Sequence, residues 1–164
     1  MTEMKIVEGL AQWQADFEAG WLAHYRATGE CDWDCYNRPH NRTAPHGAGV
    51  DLSKSRLALI TTAGGFLPAS QEPFDAENAL GDYTIRCFAS DTSYCAIAYA
   101  HTHYDHRAVN RDPQVLLPLG HLADLVDEGV IGELAPSVIS FMGYQPDVVR
   151  IVDEMIPAIV AVAL

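Results

Sequence analysis

The run Arg56-Leu57-Ala58-Leu59-Ile60-Thr61-Thr62 is mostly apolar and stops at Ala63-Gly64-Gly65. A run this short and this apolar fits a strand buried on both faces, the habit of parallel sheets. The two glycines make a tight turn at its carboxyl end, where backbone can come close to a ligand. Thr84–Phe88, Tyr94–Ala100 and Pro136–Phe141 read as further strands. Leu119–Asp127 has helical spacing and stops at Gly129. Pro146–Ala163 reads as a helix, with Pro146 at its tolerant start and Pro157 in its intolerant interior. Strands alternating with helices predict an α/β fold, a Rossmann-like parallel sheet that takes ligands at the strands' carboxyl ends. No G-x-G-x-x-G follows Gly64-Gly65, so a dinucleotide site is not supported.

Ahead of this region the spacing predicts an amphipathic helix over Thr2–Ala27. Ile6, Leu10, Trp13, Phe17, Trp21 and His24 fall on one face, and Thr28-Gly29 stops it. From Cys31 to Asp51 proline and glycine break any period, as in Tyr36–Arg42 and Ala44-Pro45-His46-Gly47. The expected organisation is a helix and irregular arm over 1–51 and an α/β domain over 52–164.

Composition narrows the function. The net charge of −12 argues against nucleic acid and against anionic membrane surfaces, and keeps the chain soluble. No signal sequence opens the chain, and the apolar stretch Ile156–Leu164 is too short to span a bilayer. A cytoplasmic location is expected. The four cysteines then read as thiols, with Cys87 and Cys95 as small core residues. Cys31 and Cys35 lack the partner C-x-x-C of a zinc ribbon, and their acidic neighbours raise a thiol's pKa.

The run that carries chemistry is His101-Thr102-His103-Tyr104-Asp105-His106, directly after an apolar strand. Imidazoles and carboxylates are ligands that zinc and iron favour, which makes His101, His103, Asp105 and His106 candidate metal ligands. The H-x-H-x-D-H spacing resembles the metallo-β-lactamase superfamily over these six residues. The only later histidine is His121, and Arg107-Ala108 stands where that motif is usually followed by glycine.

A second resemblance covers about Leu52 to Ala163. Leu52–Gly65 is similar to the opening strand of the selenoprotein B family of glycine, betaine, sarcosine and D-proline reductases. Gly81-Asp82-Tyr83-Thr84-Ile85-Arg86 matches its next block, and His101, Tyr104, Asp105, Asn110 and Asp112 match its histidine loop. Pro118, Leu119, Leu122, Leu125, Glu128, Gly129, Ile131 and Gly132 follow in order, then Ala135-Pro136 and Phe141-Met142-Gly143.

The resemblance implies reductive cleavage of a C–N bond within a multi-subunit complex. A cysteine or selenocysteine is the nucleophile and thiols supply the electrons. It places that nucleophile beyond the helix ending near Leu164. The expectation is therefore an incomplete domain with an open sheet edge or uncovered helix face. Such a domain binds a second subunit that carries the reactive Cys or selenocysteine, or binds itself.

On this reading His101, Asp105 and Tyr104 are the candidate catalytic residues. Gly64, Gly65, Asn110 and Asp112 are the candidate binders of a small-molecule substrate. A zinc or iron enzyme built on the histidine cluster is the alternative. A non-catalytic scaffold subunit is the third reading, in which the histidines only hydrogen-bond a loop.

Overall fold

The computed structural model describes residues 6–43 and 48–163. Thr2–Lys5 of the expected first helix and the turn at Ala44–Gly47 lie outside the described residues.

The first helix is two: α1 (Leu10–Ala19) and α2 (Trp21–Thr28). The break is at Gly20, where a Cβ would lie 3.0 Å from the Asp16 carbonyl oxygen and 3.4 Å from that of Cys35. The arm packs too closely there for a side chain. Ile6 precedes α1 and is exposed rather than on the buried face. Beyond it the i, i+4 stripe survives the break. Trp13 stacks on Phe17 at 4.9 Å, Phe17 on Trp21 at 5.5 Å, and Trp21 on Tyr25 at 5.8 Å. Val148 of the C-terminal helix completes this cluster, with Tyr36 packed against it.

The central sheet pairs the two stretches that read as parallel strands. β1 (Arg56–Leu57) runs parallel to Glu133–Leu134, and β2 (Ile60–Thr61) runs parallel to Ser137–Ser140. The Leu57 and Leu59 carbonyls accept from Ala135 and Ile139, so pairing continues past Pro136, which has no N–H to give.

Three features differ from the sequence reading. The strand β1–β2 is an edge, not fully buried: Ile60 is 46% exposed, and its open side pairs with no strand among the described residues. β4 (Arg86–Ala89) pairs antiparallel with Ser137–Ser140, so the sheet is mixed. The expected strand Tyr94–Ala100 is a 3-10 turn, Tyr94–Ala96, followed by the short β5 (Ala98–Tyr99). β5 pairs antiparallel with β3 (Gly65–Phe66), so Gly65 belongs to a strand and Gly64 alone has a positive φ, +66°.

Short helices α3 (His106–Arg111) and α4 (Leu119–Asp127) lead to β6 (Glu133–Leu134) and β7 (Ser137–Ser140). Val138 on β7 is fully buried with Phe88, Ile97, Leu117 and Leu119 on one face of the sheet. The chain ends in α5 (Val148–Arg150), a π-helical turn (Ile151–Met155) and α6 (Ile156–Ala163). The wider turn precedes Pro157, whose ring would otherwise press on the carbonyl four residues back. Val160 and Val162 on α6 are each 45% exposed. Of the two cysteines assigned to the core, Cys87 is half-buried and Cys95 is exposed; the 3-10 turn rotates Cys95 outward. Among the described residues no helix is long and apolar enough to cross a membrane.

Trp21 is fully buried, and its indole N–H finds no partner among the described residues. Trp21→Ala is expected to cost about 3–5 kcal/mol in denaturant unfolding, the usual range for a buried aromatic. Trp21→Phe should cost less than half as much, because it keeps the stack and removes an unpaired polar group.

Candidate functional site

Parallel strands β2 and β7 end side by side, with Thr61 in register with Ser140. Such strand ends are where open α/β sheets take ligands. Three backbone links close the crevice. Ala63 bridges Met142, the Gly64 amide donates to the Phe141 carbonyl at 3.0 Å, and the Ala100 amide donates to the Gly64 carbonyl at 3.0 Å. A Cβ at Gly64 would lie 3.1 Å from both the backbone N and the Cβ of His101. The glycine is what lets the histidine loop lie on the strand end.

His101 is 8% exposed. Its Nδ1 accepts the His103 backbone N–H at 3.1 Å. An accepting Nδ1 is unprotonated, so in the neutral ring the proton sits on Nε2. Nε2 lies 3.3 Å from where a Cβ on Gly143 would be. Burial, reinforced by the neighbouring His103 and His106, holds the His101 pKa below its ordinary value, so the ring is an uncharged donor at neutral pH.

The rest of the loop supports that ring. Tyr104 Oη donates to the Ala63 carbonyl at 2.9 Å, and burial pushes its phenol up to about 12. His106 Nε2 donates to the His101 carbonyl at 2.6 Å, and its ring stacks on Tyr104 at 4.8 Å. His103 stacks on Tyr144 at 4.9 Å, nearly parallel.

The other candidates stand apart from this centre. Asp105 caps α3 by accepting from the Arg107 amide and pairs with the exposed Arg107 guanidinium at 2.6 Å, which holds its pKa low. Asp112 accepts from the Gln114 amide and caps the turn that opens at Pro113. Asn110 lines a separate cleft of about 420 Å³ with Tyr94, Cys95, Tyr99 and His106.

The four residues that read as metal ligands do not converge. The Asp105 carboxylate faces Arg107, His106 Nε2 is committed to a carbonyl, and His101 Nδ1 to an amide. Among the described residues no three His, Cys, Asp or Glu side chains form a group that could hold a metal ion. Spacing had suggested convergence, but the loop turns its polar atoms onto its own backbone.

The structure also adds residues that spacing did not reveal. Ser140 is fully buried and its Oγ, 3.6 Å from where a Gly65 Cβ would be, has no hydrogen-bond partner among the described residues, and neither has the Tyr99 hydroxyl. On the other side of Gly143, a cleft of about 170 Å³ is lined by Trp33, Tyr36, Arg38 and Tyr144. The sequence signal was the cluster Trp33, Tyr36, Arg38 inside turn chemistry, read there only as an arm.

Comparison with known proteins agrees with the ordered blocks. D-proline reductase subunit gamma of Acetoanaerobium sticklandii is 32% identical over 109 residues, which are 66% of this chain and 43% of that protein. Sarcosine reductase complex component B subunit beta of Peptoclostridium acidaminophilum is 33% identical over 105 residues, 63% of this chain and 24% of the relative. Glycine reductase complex component B subunit gamma of Carboxydothermus hydrogenoformans is 31% identical over 96 residues, 57% of this chain and 22% of the relative. The chain thus spans less than half the length of these curated relatives. No solved structure matches it significantly. The family model for glycine/sarcosine/betaine reductase selenoprotein B matches residues 35–153, from the arm through both parallel strands and the histidine loop into the C-terminal helix, and the chain belongs to that family.

Proposed function

We propose that this chain is a subunit of a selenoprotein-B-like reductase complex that cleaves a C–N bond in a small amino-acid-like substrate. Its part is the histidine loop, which binds the substrate at the strand ends. A partner subunit supplies the reactive cysteine or selenocysteine. The names of the relatives, all reductase subunits, support the complex and the reaction class. The observation that carries the local role is His101, whose Nδ1 is held by backbone and whose uncharged Nε2–H faces Gly143 at the strand ends.

The chemistry explains why a neutral donor suits the place. Reductive cleavage consumes two electrons and a proton. The partner's sulfur or selenium attacks the carbon that bears nitrogen, and the C–N electron pair leaves with the amine. Thiols then reduce the new carbon–sulfur or carbon–selenium bond and become a disulfide. While the C–N bond is intact, a quaternary or protonated nitrogen has no lone pair to accept a hydrogen bond. As the bond breaks the lone pair develops, and Nε2–H can meet it. A contact made only then lowers the barrier without tightening the ground state. Tyr104 and Asp105 position the loop, through Ala63 and through the cap of α3. Gly64 and Gly65 act by letting the histidine loop and β5 lie close on the strand end, Asp112 holds the following turn, and Asn110 serves the neighbouring cleft.

In the assembled complex, His101→Gln is expected to lower kcat/KM on the order of 100-fold while the subunits stay together. Full activity in an intact complex would overturn this role.

The depressed His101 pKa also has a stability consequence. The unfolded imidazole, near 6.5, binds a proton that the folded ring resists. This contribution is fully present above about 6.5 and is lost as pH falls through the lower folded value. Denaturant midpoints measured between about pH 7.5 and about pH 5 should therefore drop more steeply for the wild-type chain than for His101→Gln. Parallel curves would show that His101 does not titrate as described.

A further inference from the structure

The cleft beyond Gly143 has features that ligand chemistry explains better than packing. Its volume, about 170 Å³, is below the roughly 300–1,000 Å³ of sites for drug-sized ligands, so it suits a molecule of few heavy atoms. Three aromatic rings form a corner in it. Trp33 meets Tyr36 edge-on at 5.4 Å and Tyr144 edge-on at 5.9 Å. Both tyrosine hydroxyls are tied to backbone, Tyr36 to the Pro146 carbonyl and Tyr144 to the Ala79 carbonyl, each at 2.9 Å. The rings are therefore fixed. Trp33 leaves 48% of its surface open.

Arg38 lines the same cleft. The chain has 22 acidic and 10 basic residues. Lys54, Arg56, Arg107 and Arg150 have a carboxylate partner, while Arg26, Arg42, Arg86 and Arg111 have none among the described residues. Among the described residues Arg38 makes no ion pair, and no acidic side chain lines its cleft. Asp147, which like Arg38 acts on the Tyr36 phenol, is occupied as the cap of α5.

The geometry points to a subsite for a zwitterion. We infer that Arg38 binds the substrate's carboxylate and that the Trp33–Tyr36–Tyr144 corner takes its ammonium group. A guanidinium pairs with a carboxylate through two hydrogen bonds, and a cation is drawn to an aromatic face. Gly143 links this subsite to His101: it lines the cleft, and a Cβ on it would lie 3.3 Å from His101 Nε2. The inference rests on the proposed amino-acid-like substrate and adds which residues select it.

Intrinsic fluorescence of the purified full chain tests this, with glycine betaine as the probe and acetate and tetramethylammonium as single-charge controls. Trp13 and Trp21 are 5% and 0% exposed against 48% for Trp33, so a contact quench reports on Trp33. The expected result is a saturable betaine quench that is lost in Trp33→Phe. Calorimetry should show betaine affinity at least ~10-fold weaker in Arg38→Ala and partly restored in Arg38→Lys. Each control should bind at least ~10-fold more weakly than betaine. No saturable betaine binding, or unchanged binding in Arg38→Ala, overturns the subsite. This outcome is separate from the His101 reading, which is decided by complex activity: betaine binding that needs Arg38, beside an indifferent His101→Gln complex, would leave the subsite standing and the donor role refuted.

Discussion

The site depends on the absence of one side chain, at Gly64. Its amide is bound to Phe141 after β7, its carbonyl to Ala100 after β5, and its φ of +66° suits glycine alone. His101 occupies the space a Cβ would need. Three segments far apart in sequence therefore meet at one residue. The loop is held there by chemistry of its own: Tyr104 to Ala63, His106 to the His101 carbonyl, and the His103 amide to the His101 ring. Nearly every polar atom of the cluster serves this framework. What the framework leaves over is the His103 ring, stacked on Tyr144, and one buried donor, the His101 Nε2–H, 3.3 Å from where a Cβ on Gly143 would be.

The legibility of the fold follows the range of the forces involved. α4 was readable over Leu119–Asp127 because its period and its stop at Gly129, with φ +71°, are local. β7 was readable because a short apolar run sits between Pro136 and Gly143. Strand direction is not local, and β4 turned out antiparallel. The break at Gly20 is set by the approach of the Cys35 carbonyl, which the helical period of residues 10–28 does not contain.

The site shows the same division. Histidines at close spacing marked the right loop, and the ordered blocks of the family marked its place after a strand. Spacing alone could not say which way the imidazoles turn, so a metal set was as legible as a hydrogen-bonded one until Asp105 was found capping α3. Trp33 and Arg38 were invisible for a different reason. Their segment reads as turns, and only long-range packing brings it to the strand ends: Trp13 Nε1 donates to the Asn37 carbonyl, and Tyr36 Oη to that of Pro146. The aromatic stack of α1 and α2 thus shapes the far wall of a cleft that those helices do not themselves line.

Charge sets a last constraint on what such a cleft can admit. A chain of net charge −12 repels a free anion on approach, although salt limits that field to about 8 Å at physiological ionic strength. A simple carboxylate would meet that repulsion before it reached Arg38. A zwitterion carries no net charge and meets none to first order. Close in, its two ends separate the forces: the guanidinium acts on one and the aromatic faces on the other. In the proposed subsite an arginine beside three fixed rings would select molecules holding both charges a few bonds apart, and an uncharged imidazole near Gly143 would add no second cation to repel the ammonium end.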